Sequence, residues 1–325
     1  MKLVIMIPCL NEEATLPLVL KTIPKKIKGI DKIETLLIDD GSSDKTVAVA
    51  KKYGVKHFLI HTANQGLSRS FRHGLNKALE MGADIIVLTE GDNQYPQEKI
   101  PDLIKPILDG KADTVIADRQ TQKIAHFSKN KKFLQKFGTN VLNFAAGTNV
   151  PDAISGFRAY SRAAAMQLNP IADYSWATET TIQAAHKGHA IAIIPIKTNP
   201  KLRESRQFKN SWQHIRRSSV TIIRAFIMYR PYAMFFSISG LLFVIGAIPL
   251  INFLYSDLTA KHPLGPHHLQ SLIIGSMLIV GSFVSFTLGV IADLIRINRM
   301  LIEDVLELTK IERFGSKGSR LVKKP

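Results

Sequence analysis

Two long stretches of this chain contain no charged residue, and they constrain its fold more than any other feature. The first runs from Pro231 to Ser256 and the second from Leu269 to Ala292. Each exceeds the roughly 20 residues that an apolar helix needs to cross a bilayer. Helices buried in a large soluble core are the alternative, but soluble helices rarely stay apolar on every face over such a length. We therefore predict membrane-spanning helices at 231–256 and 268–292.

Positive charge is distributed unevenly around these stretches. Four arginines closely precede the first, eight lysines and arginines follow the second, and the segment from Ser256 to His268 has Lys261 as its one fixed positive charge. Because cytoplasmic segments carry an excess of Lys and Arg, we predict that both termini are cytoplasmic and that the connecting segment lies outside. The whole chain has a net charge of +17, which indicates an anionic partner. The basic residues gather around the apolar stretches, which favours a membrane or phosphorylated substrates and disfavours nucleic acid.

Residues 1–206 have the pattern of an α/β domain. Short apolar runs predict strands at Leu3–Ile7, Glu34–Ile38, His57–Ile60, Ile85–Leu88 and Thr114–Ala117. Amphipathic stretches such as Lys45–Tyr53 and Leu67–Met81 lie between them. Strands that alternate with helices predict a mainly parallel sheet covered on both faces, with ligands at the carboxyl ends of its strands. The single cysteine, Cys9, excludes an internal disulfide.

The residues around the two apolar stretches predict two further segments. Residues 207–230 mix apolar side chains such as Trp212 with basic ones such as Arg216. This mixture is typical of an amphipathic helix that lies in the headgroup plane, although an ordinary surface helix is the alternative. The spanning helix that follows at once favours the interfacial helix. Residues 293–325 are predicted to form a basic cytoplasmic tail, disordered from Gly315 onward.

Polar motifs directly follow the first two predicted strands. The sequence PCLNEE occupies residues 8–13, and DDGSSD occupies residues 39–44. Carboxylates beside a glycine turn suit hydrogen bonds to a base edge or to ribose hydroxyls. Asn11 and Asp44 are also explained as caps of the helices that follow. Either motif alone leaves both interpretations open, whereas the pair is far more specific.

A third motif, EGDNQYP at residues 90–96, follows the fourth predicted strand. Glu90 and Asp92 are two residues apart, so both side chains can extend from the same end of the strand. Hard oxygen ligands of this kind suit Mg²⁺ or Mn²⁺, which would bridge a diphosphate. An acidic turn without a ligand is the alternative for this motif taken alone.

In this order, together with NQG at 64–66 and SGFR at 155–158, the motifs resemble family 2 glycosyltransferases with the nucleotide-diphospho-sugar transferase fold, a Rossmann-like α/β architecture called GT-A. Within that family the chain is most similar to dolichyl-phosphate mannose synthases and bacterial polyprenyl-phosphate glycosyltransferases. The resemblance covers residues 1 to 206, and the two spans fit the bacterial branch. It implies inverting transfer of a hexose from a UDP- or GDP-linked donor to a polyisoprenyl phosphate of undecaprenyl or dolichyl type at the cytoplasmic face of the cell membrane.

The resemblance also implies roles for individual residues. Those implied to bind the nucleotide-sugar are Pro8, Leu10, Asn11, Glu12, Asp39, Asp40, Glu90, Gly91, Asp92, Arg119, Arg203 and Arg206. Those implied to hold Mg²⁺ or Mn²⁺ are Glu90, Asp92 and Gln94. Those implied to be catalytic are Asp92, Arg119 and Arg206. The acceptor phosphate would meet Arg119, Lys131 and Lys132, although the basic run at 129–132 is also explained as a solvated loop.

Three features depart from the family pattern. The first acidic position of the metal motif is Glu90 where the family has aspartate, which keeps the charge but adds a methylene. The arginine that the family places five residues before the Ser-Lys pair falls on Pro200, and Arg203 is a candidate substitute. The Gln-x-x-Arg-Trp motif of processive polysaccharide synthases is absent after Gln207, which argues against a polymerising enzyme.

Alternative functions remain at this point. One is transfer to a glycan or glycerolipid acceptor. Another is a catalytically inactive homologue that acts as a membrane scaffold, although the presence of Asp39, Asp92 and Arg119 counts against it. Small residues in the second span would also allow close helix contact and a homo-oligomer. They are Gly275, Ser276, Gly281 and Ser282.

Overall fold

The computed structural model describes residues 1–120, 138–140, 143–144, 147–170, 176–200, 227, 230–259 and 266–315. The chain divides into two compact units, one formed by Met1–Ile222 with Glu303–Pro325 and the other by Ile223–Ile302. Several predicted features lie outside the described residues. They are Lys131, Lys132, Arg203, Arg206 and nearly all of the helix at 207–230.

The first unit is built on one seven-stranded sheet. Its strands are β1 (Lys2–Cys9), β2 (Lys32–Asp39), β3 (His57–Ile60), β4 (Ile85–Leu88), β5 (Thr114–Asp118), β6 (Arg158–Ser161) and β7 (Ile191–Pro195). They are arranged in the order β3-β2-β1-β4-β6-β5-β7. All neighbours are parallel except the pairs that β6 makes with β4 and β5. The five predicted strands and the mainly parallel sheet are confirmed, and β6 and β7 are additional.

Helices cover both faces of this sheet. They are α1 (Leu16–Thr22), α2 (Thr46–Lys52), α3 (Leu67–Glu80), α4 (Ile100–Leu108), α5 (Arg162–Gln167) and α6 (Trp176–His186). Successive side chains of a strand point to opposite faces. Leu3 and Ile5 of β1 therefore join a buried cluster with α4, whereas Val4 and Met6 join a second cluster with α3. The sheet is thus apolar on both faces, and its polar chemistry is left to the strand ends.

The second unit contains two long apolar helices, α7 (Pro231–Thr259) and most of α8 (Pro266–Phe314). In the most apolar 18-residue window of each, 11% and 17% of the residues are buried. A core helix of a soluble protein would be mostly buried. Both helices are therefore long, apolar and exposed enough to cross a membrane, as predicted. The predicted span at 231–256 coincides with α7, whereas α8 continues well beyond residue 292.

Small residues bring α7 and α8 into contact with each other. A Cβ on Gly275 would lie 3.0 Å from the carbonyl oxygen of Gly246. Ser282 donates from Oγ to the carbonyl oxygen of Ser239 at 2.8 Å. Gly275 and Ser282 thus make their close helix contacts within one chain, and the homo-oligomer stays a prediction.

The C-terminal turns of α8 belong to the first unit. Phe314 is 9% exposed and lies in the core cluster on the α3 face of the sheet. Lys310 is buried and donates to the carbonyl oxygen of Leu168 at 2.8 Å. Glu307 forms an ion pair with Lys187 at 2.7 Å. The helix end is therefore held by both apolar and polar contacts.

This arrangement amends two predicted boundaries. A domain at 1–206 is not complete without the helical segment Glu303–Phe314, which supplies part of its core. The predicted basic tail at 293–325 is helical as far as residue 314. Residues 316–325, in the predicted disordered part of the tail, lie outside the described residues.

Candidate active site

Most of the predicted site residues collect at one edge of the sheet. Cys9 at the end of β1 pairs with Asp39 at the end of β2, and Met6 pairs with Leu88 at the end of β4. Arg119 directly follows β5. These four strands run in the same direction, so their carboxyl ends meet at this edge. The topology thus brings the PCLNEE, DDGSSD and EGDNQYP motifs together.

The loops after β1 and β2 are locked together. Asn11, which has a φ of 55°, accepts a hydrogen bond at Oδ1 from the N–H of Ser43 at 2.7 Å. Its own N–H donates to Ser42 Oγ at 2.9 Å. Gly41 has a φ of 78°, and a Cβ there would lie 2.8 Å from the carbonyl carbon of Ala63. Asn11, predicted to bind the nucleotide, therefore fixes the shape of this edge.

Gly91 packs against the loop that follows β1. A Cβ at this position would lie 2.7 Å from Cys9 Sγ and 3.2 Å from Glu12 Cγ. Glu12 is buried, as is Pro8, and Leu10 is half-buried. Burial, together with the surrounding carboxylates, raises the pKa of the Cys9 thiol well above its ordinary value. The thiol therefore stays neutral, and its role beneath the site is packing.

Asp39 offers an unused acceptor. Its side chain is 3% exposed, and Oδ2 accepts a hydrogen bond from the N–H of Ser42 at 3.2 Å. Within the described part of the chain, Asp39 Oδ1 is buried without a hydrogen-bond partner. A buried acceptor that lacks a donor costs about 1–3 kcal/mol. A hydroxyl or N–H group of a bound ligand would satisfy this oxygen.

Asp40 has a structural role, and its predicted contact with the nucleotide stays a prediction. Its Oδ1 accepts the N–H of Gln65 at 2.9 Å and lies 2.8 Å from His61 Nδ1. Its Oδ2 accepts the N–H of Gly66 at 2.9 Å. Because three donors already converge on this carboxylate, Asp40 holds the NQG turn at the start of α3.

Asp92 is buried and oriented by Gln94. Its Oδ2 accepts a hydrogen bond from Gln94 Nε2 at 2.7 Å, and its Oδ1 accepts the N–H of Gln94 at 3.1 Å. Asn93 between them has a φ of 61°, which folds the loop back on itself. Gln94 thus fixes the direction of the Asp92 carboxylate, and its own predicted role as a metal ligand stays a prediction.

The oxygen atoms at the end of β4 suit a divalent cation. Carboxylate oxygens from Glu90 and Asp92 are the hard ligands that Mg²⁺ and Mn²⁺ prefer. Among the described residues, no group of three His, Cys, Asp or Glu side chains forms a metal cage of its own. Mg²⁺ is usually held by one or two carboxylates, with phosphates and water completing its coordination. The residues therefore fit a metal that binds together with a diphosphate.

Glu90 reaches the loop that precedes β6. A Cβ on Gly156 would overlap Glu90 Oε1 and lie 3.2 Å from the Tyr95 hydroxyl. That hydroxyl accepts the N–H of Gly156 at 2.9 Å, and the Tyr95 ring stacks on Phe157 with a centroid distance of 5.3 Å. The end of β4, the loop after it and the loop before β6 thus meet around one glycine.

Arg119 is held in place by Asp152, which the sequence did not reveal. Its Nε donates to Asp152 Oδ2 at 2.7 Å, and its Nη2 donates to Oδ1 at 2.9 Å. Burial alone would lower the pKa of Arg119, but Tyr95, Asp152 and Glu90 together raise it well above its ordinary value. The guanidinium therefore stays charged. Asp152 lies in an unremarkable loop, so no local pattern identifies it.

Arg158 of the SGFR motif is structural. Its side chain is fully buried, and its Nε and Nη2 donate to the carbonyl oxygens of Ser155 and Ala153, each at 2.7 Å. Its Nη1 donates to the hydroxyls of Thr180 and Thr181, each at 3.0 Å. This arginine therefore fixes the loop before β6 to α6.

Comparison with known proteins supports the resemblance that the motifs indicate. The sequence profile of glycosyl transferase family 2 matches residues 4–168. The chain belongs to this family. Glucosyl-3-phosphoglycerate synthase of Mycobacterium tuberculosis, crystallised with Mn²⁺, UDP and glucosyl-3-phosphoglycerate, superposes with a TM-score of 0.54. The two are 20% identical, and the match covers 70% of this chain and 78% of that one. The predicted GT-A fold is thereby confirmed.

Curated relatives include enzymes that are named for lipid phosphates. Undecaprenyl-phosphate mannosyltransferase of Micrococcus luteus is 27% identical over 206 residues, which cover 60% of this chain and 83% of that protein. UDP-N-acetylglucosamine--dolichyl-phosphate N-acetylglucosaminyltransferase of Methanococcus voltae is 28% identical over 217 residues, which cover 60% of this chain and 84% of that protein. The resemblance of this family 2 chain to the polyprenyl-phosphate branch is confirmed.

Proposed function

We propose that this family 2 protein transfers a hexose from a nucleotide-diphospho-sugar to the phosphate of a polyisoprenyl lipid, with inversion at the anomeric carbon. One observation carries the proposal. The carboxylates of Glu90 and Asp92 and the charged Arg119 lie at one sheet edge of a chain that also has two exposed apolar helices. The names of the relatives from Micrococcus luteus and Methanococcus voltae support the acceptor class.

The donor would bind along the carboxyl edge of the sheet. Asp39 Oδ1 would accept a hydrogen bond from its nucleoside. Asp92 and Glu90 would hold Mg²⁺ or Mn²⁺, which when bound offsets the charge that develops on the departing nucleoside diphosphate. Arg203 and Arg206, outside the described residues, are proposed to contact the diphosphate.

The acceptor needs positive charge more than it needs a base. A phosphate monoester is largely ionised near pH 7, because its second pKa is about 6. The obstacle is the repulsion between this anion and the donor diphosphate. Arg119, oriented by Asp152, would offset that repulsion, and Lys131 and Lys132 are proposed to assist it. In-line attack by the phosphate oxygen forms the new bond to the anomeric carbon as the bond to the nucleotide breaks, which inverts the configuration.

The membrane helices match this acceptor. A polyisoprenyl chain stays in the bilayer while its phosphate stays at the surface. We propose that α7 and α8 span the membrane, with both termini and the first unit on the cytoplasmic side. The segment at 207–230 is proposed to lie in the headgroup plane, and the net charge of +17 would add attraction to anionic lipids.

A donor panel tests this function. Purified full-length protein with Mn²⁺ and undecaprenyl phosphate is expected to form a lipid-linked monosaccharide from at least one UDP- or GDP-sugar, detected by mass spectrometry of the lipid fraction. NMR of the product is expected to show the anomeric configuration opposite to that of the donor. Parallel reactions with diacylglycerol are the acceptor control. Product on diacylglycerol alone, or no product with any donor, would contradict the proposal.

A further inference from the structure

The surroundings of Gly156, and not its backbone conformation, require a glycine at this position. Glycines that are required by conformation have a positive φ, and Gly156 is not one of them. A larger residue is excluded here by its neighbours. The nearest neighbour is the Glu90 carboxylate, which a Cβ on Gly156 would overlap, followed by the Tyr95 hydroxyl at 3.2 Å.

The loop that contains Gly156 is the loop that orients Arg119. At one end, Asp152 accepts two hydrogen bonds from the Arg119 guanidinium at 2.7 and 2.9 Å. At the other end, the N–H of Gly156 donates to Tyr95 at 2.9 Å. The side chain of Glu90, which follows β4, lies against this loop. Its carboxylate is also near enough to Arg119 to favour the charged guanidinium.

We propose that Glu90 is a positioning residue, which packs its carboxylate on Gly156 and thereby sets the place of the 152–156 loop and of Arg119. The added methylene relative to aspartate carries the carboxylate across to this loop. Residues 90 and 156 are therefore matched in size. The inference rests on the proposed function for one point, that Arg119 contacts the donor diphosphate as well as the acceptor phosphate. It goes beyond the role of Glu90 as a metal ligand, because it holds without a metal.

Alanine at position 156 should spare the fold and displace the carboxylate. Glu90 Oε1 is the end of a flexible side chain, so rotation of that side chain relieves the overlap with the new Cβ at small cost. We expect Gly156→Ala to unfold at a temperature close to that of the wild type. Its defect should therefore appear in ligand binding and not in stability. Glu90→Asp withdraws the carboxylate by one methylene and makes room for the alanine.

A double-mutant cycle tests the match. Wild type, Glu90→Asp, Gly156→Ala and the double variant are titrated with UDP and with GDP by calorimetry, once with Mn²⁺ and once with EDTA. Sugar transfer is measured in parallel. Gly156→Ala is expected to weaken nucleotide affinity by about tenfold in both conditions. The double variant is expected to bind no more weakly than Glu90→Asp alone. Gly240→Ala, at a glycine with no atom within 4 Å of the added Cβ, is the control.

The outcomes separate this inference from the proposed function. Gly156→Ala that binds like the wild type, losses that multiply in the double variant, or a loss confined to Mn²⁺ would each overturn the positioning role. A wild-type protein that shows the coupling in nucleotide binding but transfers no sugar would support the matched pair and contradict the proposed function.

Discussion

Replacing Asp92 by alanine is expected to lower sugar transfer by at least about a hundredfold. Asp92 is buried at the end of β4, and Gln94 directs both of its carboxylate oxygens. Alanine removes one of the two carboxylates proposed to hold the metal, and a water molecule in its place would bring no negative charge. Initial rates at saturating Mn²⁺ and donor measure the loss, and thermal unfolding checks that the fold survives.

The matched control is Asp109→Ala. Asp109 is a 41% exposed carboxylate that follows α4 and is paired with Lys111 at 3.8 Å. It lies outside the loops that form the site, so its removal should leave the rate unchanged. An Asp92→Ala protein with more than about a tenth of the wild-type rate would place the metal elsewhere, since such a loss is far below what a lost charge-stabilising group causes.

A chain that ends at Ile302 is expected to lose much of the stability of the first unit. The truncation removes Phe314 from the core and leaves Lys187 without its pair to Glu307. Loss of one buried phenylalanine side chain costs about 3–5 kcal/mol. For a unit of this size, that corresponds to a fall of about 10 °C in the unfolding midpoint. Differential scanning fluorimetry in detergent measures it, together with nucleotide binding.

Two further proteins make this test specific. A chain that ends at Gly315 keeps every described contact of α8 and should unfold like the full chain. Phe314→Ala in the full chain should show a smaller fall than the truncation at Ile302, because the polar contacts remain. If the Ile302 chain unfolds at the wild-type temperature and binds nucleotide normally, the C-terminal turns are not part of the core.

The sequence reveals the strands that carry the site because their apolar runs end at polar motifs. It does not reveal the end of α8, and the reason is physical. Within the first unit, the face of Glu303–Phe314 that packs inward is mostly polar. Its buried residues are Glu303, Lys310 and Phe314, with Glu307 half-buried beside them. Leu301, Val305 and Leu308 are exposed instead. A search for apolar periodicity finds the exposed face and misses the one that packs.

In the site too, residues beside a strand end are predictable from sequence, whereas contacts between distant residues are not. Glu90, Asp92 and Asp39 can be selected from sequence as candidates because each lies at the end of a strand or within a few residues after it. The partner of Arg119 is 33 residues away, in Asp152, and contact across such a distance leaves no local pattern. The structural contacts of Asp40 are also distant in sequence. Its carboxylate meets His61, Gln65 and Gly66, which lie 21 to 26 residues further along the chain.

The central claim is that Asp92 meets the donor through a divalent cation. A crystal structure of the protein with UDP or GDP and Mg²⁺ measures this directly. We predict the metal at about 2.1 Å from a carboxylate oxygen of Asp92 and in contact with the diphosphate. A diphosphate bound elsewhere on the first unit, or a metal that contacts the diphosphate without Asp92, would contradict the account.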